Sequence, residues 1–237
     1  MKNQYFGDVN DYKKYGLLRL LSNNGRRRVA ICWMLTGADE RADGKLIGYL
    51  NDPGKWRKYD PRLFDLLKPC LSDPTRRNVS WAEEVEIVPG AKYHAQLLTD
   101  NADERERYFQ TFQDLAQGCD LSFFDPDNGL EIKSRSYGRR NSCKYLYWGE
   151  LKQIGAEGQS LLLYQHFPRE ERQKFIEKVV SKVRQELKIS DVITYRTDRV
   201  VFVLIPQARD KAYYLHQSQD VTRVWGDHLH MKYWECS

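Results

Sequence analysis

Residues 120–133 read DLSFFDPDNGLEIK. Leu121, Ser122, Phe123 and Phe124 form a short apolar run of the kind that makes a buried strand. The run stops at Asp125-Pro126-Asp127-Asn128-Gly129. These residue types favour turns, because proline fixes φ and because Asp, Asn and Gly tolerate unusual backbone. In open α/β sheets, ligands sit just outside the carboxyl ends of the strands. A buried strand that empties into two carboxylates and an amide therefore has the layout of an active-site edge, with Asp125, Pro126, Asp127 and Asn128 as its candidate catalytic set. An acidic surface turn has the same residue types, so the flanking sequence must decide.

Upstream, Ala102 to Gln117 carries Tyr108, Phe109, Phe112 and Leu115 at helical spacing, and Gly118 closes it. Further back, Arg28 to Leu35 is continuously apolar, as a central strand covered on both faces should be. It empties into Thr36-Gly37, and small-residue loops in that place bind nucleotide-type cofactors. Second and third strands are expected near 46–50 and at Val85 to Val88, which makes 121–124 the fourth. Asp11 to Leu21 reads as a helix capped by Asp8 or Asn10, and Tyr59 to Leu67 as a helix opening at Asp60-Pro61.

Downstream, a basic loop spans Ser134 to Ser142 with Arg135, Arg139 and Arg140, and Lys144 follows it. Basic residues interleaved with aromatics beside a site suit a nucleic-acid path. Tyr145 to Leu151 reads as a short strand or the start of a helix. Ser160 to Tyr164 is another apolar strand ending at His166, and Pro168 to Leu187 is an amphipathic helix. Val192 to Arg196 and Val200 to Ile205 flank Thr197-Asp198-Arg199 at the spacing of an antiparallel pair. Residues 207–218 return as a helix.

Strand and helix thus alternate, and two strands then come together. This order predicts an α/β fold: a mostly parallel central sheet with helices on both faces and a C-terminal antiparallel hairpin. The 237 residues suit a single α/β domain over 1–237, with an N-terminal aromatic arm at 1–25 and an irregular segment at about 45–80. No apolar run approaches a membrane span or a signal peptide, so a cytoplasmic protein is expected. The five cysteines are scattered without a CxxC pair, which argues for buried free thiols over a zinc site or disulfide framework. The net charge of +5 permits an anionic partner.

A parallel sheet finished by an antiparallel hairpin resembles the Rossmann-like fold of S-adenosylmethionine-dependent methyltransferases, whose fourth strand carries the catalytic motif. Asp125-Pro126 reproduces the first half of the Asp/Asn/Ser-Pro-Pro-aromatic motif of amino-group methyltransferases. Asp127 and Asn128 stand where proline and the aromatic would be. Gly7, Asp11, Lys14 and Tyr15 are similar to a segment of the bacterial 23S rRNA adenine-N6 methyltransferases that lies by the cofactor and the target base. The resemblance implies S-adenosylmethionine as cofactor, near Asp11, Lys14, Thr36 and Gly37. It implies a nucleic-acid base amine as substrate, near Tyr5 and Tyr15; Arg139, Arg140 and His166, which follow the candidate turn and end the next strand, complete the candidate substrate-binding set. Asp125 and the Pro126 carbonyl would then orient the amine, and Tyr5, Phe6, Tyr12 and Tyr15 could replace the lost stacking surface. His166 could serve as a general base or as a hydrogen-bonded structural histidine.

Two other readings stay open. Asp125, Asp127 and Glu131, with Lys133, echo the acidic cluster and lysine of Mg2+-dependent nucleases. A non-catalytic partner protein that keeps the methyltransferase fold would also tolerate the altered motif.

Overall fold

In the computed structural model the described residues are 1–37 and 46–235, with the side chain of Leu71 excepted. In chain order the helices are α1 (Val9–Leu21), α2 (Pro53–Trp56), α3 (Pro61–Leu67), α4 (Val79–Glu84), α5 (Ala102–Ala116), α6 (Trp148–Ala156), α7 (Arg172–Leu187) and α8 (Lys211–Trp225). The strands are β1 (Val29–Cys32), β2 (Lys92–His94), β3 (Leu121–Phe124), β4 (Gly129–Leu130), β5 (Tyr145–Leu146), β6 (Ser160–His166), β7 (Val192–Arg196), β8 (Val200–Ile205) and β9 (His230–Trp234).

Seven strands form one sheet in the order β2-β1-β3-β6-β8-β7-β9. The first four run parallel, β8 is antiparallel to β6, and β7 and β9 continue the antiparallel side. From β1 the chain moves to β2 on one side, and from β3 it moves on towards β6 on the other. The crevice between the carboxyl ends of β1 and β3 is therefore the topological switch point where such sheets bind ligands.

Alternation along the central strands feeds two cores, one on each face. Val29, Ile31, Leu121 and Phe123 join Tyr12, Tyr15, Phe64 and Trp225 on the face covered by α1, α3 and α8. Ala30, Cys32 and Phe124 join Phe112, Leu151 and Val180 on the face covered by α5, α6 and α7. The helix caps follow the sequence: the Asp8 carboxylate accepts from the Asn10 and Asp11 amides, and Asp60 and Asn101 cap α3 and α5.

Three expectations need correction. Residues 48–51 form a 3-10 turn, not a strand, because Tyr49 and Leu50 are apolar for packing against Tyr12 and Phe64. Ile87 and Val88 are buried in the turn that follows α4, and the parallel neighbour of β1 is Lys92–His94 instead. The stretch 121–124 is consequently the third strand in the chain. The C-terminal aromatics add a strand, β9, at the antiparallel edge. Residues 38–44 of the loop after β1, and Cys236, lie outside the described residues. Cys32, Cys70 and Cys119 are buried free thiols and Cys143 is a half-buried one. Among the described residues no helix is long and apolar enough to cross a membrane.

Candidate active site

The DPDN turn leaves β3 at the switch point and is held there from below. Gly129 takes φ +103°, a backbone region that favours glycine, and a Cβ on it would lie 2.2 Å from Gln165 Oε1. The Gln165 amide instead bridges the turn: its Oε1 accepts from the Leu130 N–H at 2.7 Å, and its Nε2 donates to the Asn128 carbonyl at 3.2 Å. The Asn128 N–H donates to the Lys144 carbonyl, where β4 pairs with β5. This bracing leaves Asp125 buried and the Asn128 side chain exposed.

Above the turn lies the first turn and a half of α1. Asp11 and Lys14 share a helix face at i, i+3 spacing. Lys14 Nζ donates to Asp11 Oδ1 and to Asp125 Oδ2, both at 2.7 Å. Asp11 Oδ2 accepts from the Gly7 amide at 3.0 Å and from the Tyr15 hydroxyl at 3.2 Å. The Lys14 ammonium also faces the Tyr164 ring, 5.1 Å from its centroid, and the Trp33 ring at 5.8 Å. One lysine thus sits between two carboxylates in a site where all three side chains are at most 4% exposed. Burial raises the Asp11 carboxyl to about 6, against the opposing pull of Lys14. Burial alone would lower Lys14, but the charges of Asp11 and Asp125 outweigh it and hold the amine firmly protonated.

Asp127 is satisfied separately. Its Oδ1 meets the Met1 ammonium at 2.8 Å, and its Oδ2 accepts from the Thr36 hydroxyl at 2.6 Å. Burial would raise this carboxyl; the ammonium and the hydroxyl outweigh it and pull it below the usual range. The same ammonium donates to the Asp125 carbonyl at 2.8 Å and to the Met34 carbonyl at 3.3 Å. It therefore spans the crevice between the ends of β1 and β3.

In front of these groups opens a cavity of about 910 Å³. Of the expected site residues, it brings together Tyr5, Asp11, Lys14, Asp125, Pro126, Asp127, Asn128 and His166. His166 stands exposed at the mouth with Nε2 3.2 Å from the Tyr164 hydroxyl. Tyr15 is fully buried and acts through Asp11 instead of facing the cavity. Thr36 turns its hydroxyl to Asp127, and Gly37 is exposed beside open space.

Arg139 and Arg140 are exposed but do not line the cavity. Their loop is drawn onto the start of α5. Asp100 accepts from the Asn141 and Cys143 amides, and the buried Arg105 donates to the Ser142 and Tyr145 carbonyls and to Glu150. Nearness in sequence to the DPDN turn did not become nearness in space.

The acidic cluster expected for a nuclease is not assembled. Asp125 and Asp127 have cationic partners, and the Glu131 carboxyl lies among Lys152, Lys182 and Glu186 of α6 and α7. Among the described residues no group of three His, Cys, Asp or Glu side chains could hold a metal ion.

Sequence reasoning missed Met1, Tyr164, Arg172 and Arg199, all of which line the cavity. Arg199 had a legible signal. An antiparallel β8 beside β6 must begin where β6 ends, at the His166–Val200 pair, so the turn before it faces the site.

No family model matches the chain, and no curated protein matches it. The chain is similar to a solved structure, protein LPL1258 from Legionella pneumophila strain Philadelphia 1, which carries the family label DUF519. The TM-score is 0.42 at 12% identity, over 98% of this chain and 97% of that one.

Proposed function

We propose that this chain is an S-adenosylmethionine-dependent methyltransferase of Rossmann-like type that acts on an amino group of a nucleic-acid base. One observation carries the reading. Gly7 to Tyr15, which resembles adenine-N6 methyltransferases, and Asp125-Pro126, which resembles amino-group methyltransferases, are far apart in sequence, yet Lys14 bonds directly to Asp125 across 111 residues. Two independent resemblances thus converge on one cluster at the carboxyl edge of the third strand. The sheet order, with a reversed β8 between β6 and β7, is compatible with the same reading.

The residues fit the cofactor at one end. The crevice between β1 and β3 already receives an α-ammonium, that of Met1, on the carbonyls of Met34 and Asp125 and on the Asp127 carboxylate. S-adenosylmethionine carries the same group on its methionine part, and would take that place as Met1 withdraws. The cofactor supplies an activated methyl group on a sulfonium.

The rest of the chemistry belongs to the chain. Asp125 accepts a hydrogen bond from the exocyclic amine and, with the Pro126 carbonyl, points its lone pair at the methyl group. Lys14 neutralises Asp125 and fixes its direction, and Asp11 with Tyr15 and the Gly7 amide fixes Lys14. Methyl transfer needs little acid–base assistance, so this positioning supplies most of the rate. A base held in a duplex must be flipped out to reach the recess.

The test is transfer of labelled methyl from S-adenosylmethionine to RNA and to DNA, followed by digestion to nucleosides. Label is expected on an exocyclic amine, and Asp125→Ala should abolish it while the protein remains folded. Label that persists in Asp125→Ala, or that appears on a ring carbon or a sugar hydroxyl, overturns the assignment.

A further inference from the structure

The charges that line the cavity are sorted by depth. On the floor, Asp11, Asp125 and Asp127 are each tied to a cation or a hydroxyl. Towards solvent stand the half-buried Lys144 and the exposed Arg172 and Arg199, none of which makes an ion pair among the described residues. The carboxylates beside them are mostly committed. Glu170 pairs with Lys178, and Asp8 caps α1, so Asp198 is left as the one carboxylate of the described lining without a partner. Unpaired cations ringing a recess with a neutralised floor suit a polyanion that passes across the mouth, not a small anion bound at the bottom.

The two arginines are also held in place. Arg199 sits in a turn closed by Thr197, whose hydroxyl accepts from the Arg199 and Val200 amides at 3.1 and 3.0 Å. The Arg199 carbonyl accepts from the Phe167 amide at 3.2 Å, which ties this turn to the segment leading into α7. The Arg172 guanidinium lies 5.8 Å from the Phe167 ring centroid. The Phe167 ring thus faces Arg172 while its backbone is tied to the Arg199 turn, and the Lys144 carbonyl is fastened to the Asn128 amide of the DPDN turn. Cations on separate segments of one cavity lining, with an aromatic ring among them, are what a single strand needs: phosphates on the rim and a base turned inward.

We propose that Lys144, Arg172 and Arg199 bind the phosphates that flank the target nucleotide, so that the substrate is a single-stranded or looped segment of nucleic acid and not a free nucleoside. This rests on the reading of the cavity as a base-accepting site, but it can be tested without methyl transfer.

The experiment is fluorescence anisotropy of a labelled 12-nucleotide single-stranded RNA, titrated with the full chain at several salt concentrations. The wild type is compared with Arg172→Ala/Arg199→Ala and with a control pair, Arg139→Ala/Arg140→Ala, outside the cavity. The rim pair should weaken binding by about tenfold or more and reduce the slope of log K against log salt by about 1.4, near 0.7 per lost phosphate contact. The control pair should change neither appreciably. Equal losses in both pairs, or no loss in the rim pair, overturn the rim while the methyl-transfer assay still decides the cavity. Failure of the wild type to bind RNA also overturns the rim, and calorimetry with S-adenosylmethionine then reports separately on the cofactor site.

Discussion

Replacing Lys14 with methionine removes the side-chain cation that bridges Asp11 and Asp125 while keeping similar length and bulk. Both carboxylates are nearly inaccessible, at 4% and 3% exposure. Left without their shared partner, they cannot both stay ionised, because one charge would face another in a poorly solvated site. One of them must take up a proton. An aspartate of ordinary pKa near 3.9 pays for that at pH 7 with about 4 kcal/mol, and at pH 5 with about 1.5 kcal/mol, at 1.36 kcal/mol per unit.

The sign follows from linkage. The folded variant holds a proton that the unfolded chain releases above about pH 3.9, so stability falls as pH rises. Urea denaturation of wild type and Lys14→Met at pH 5 and pH 7 measures it directly. Because burial already holds the wild-type Asp11 carboxyl at about 6, the wild type carries about 3 kcal/mol of this cost at pH 7, so the variant should be less stable by at least about 1.4 kcal/mol there, with the deficit shrinking towards pH 5. The double variant Lys14→Met/Asp125→Asn should recover part of the loss, since it removes the stranded charge. A deficit below about 1 kcal/mol at pH 7, or one that does not change with pH, would refute the description of Lys14 as a clamp on two buried carboxylates.

Other parts of the structure make separate predictions. Arg105→Ala strands the buried Glu150 and frees the Ser142 and Tyr145 carbonyls, so it should cost about 3–5 kcal/mol in chemical denaturation and expose residues 134–145 to limited proteolysis. Gly16→Ala would place a Cβ 2.4 Å from the Trp225 ring, where α1 packs on α8. Overpacking of about 1–3 kcal/mol should outweigh the gain of up to about 1 kcal/mol in helix propensity, giving a lower Tm and altered tryptophan fluorescence; an unchanged or raised Tm counts against this packing. Gly129→Ala combines φ +103° with a Cβ 2.2 Å from Gln165 Oε1, and should lower Tm and deform the DPDN turn. A crystal structure of that variant with Gln165 still bonded to Leu130 would contradict the bracing role.

The strands that were legible in the sequence are those buried on both faces. Val29–Cys32, Leu121–Phe124 and Val200–Ile205 are apolar but for Ser122, whose hydroxyl donates to Gln159, because no side of them meets water. β2 was illegible for the opposite reason: Lys92-Tyr93-His94 is a short edge strand whose first residue is exposed, so no apolar run announces it. Ile87 and Val88 misled because burial, not strand geometry, makes them apolar. In the candidate site, Asp125 and Asn128 were found through turn chemistry at a strand end, and Asp11 and Lys14 through resemblance. The rim was not found: Arg199 owes its position to the long-range pairing of β6 with β8, and Arg172 reads only as a solvent-facing charge at the start of α7. Arg139 and Arg140 were placed in the site by sequence proximity alone, and the Arg105–Glu150 anchor holds their loop elsewhere.

The central claim is that the crevice between β1 and β3, with Asp125 at its edge, holds S-adenosylmethionine. Calorimetric titration of the full chain with the cofactor tests it most directly. The account predicts saturable heat with a dissociation constant below millimolar. No saturable binding at millimolar cofactor would contradict it.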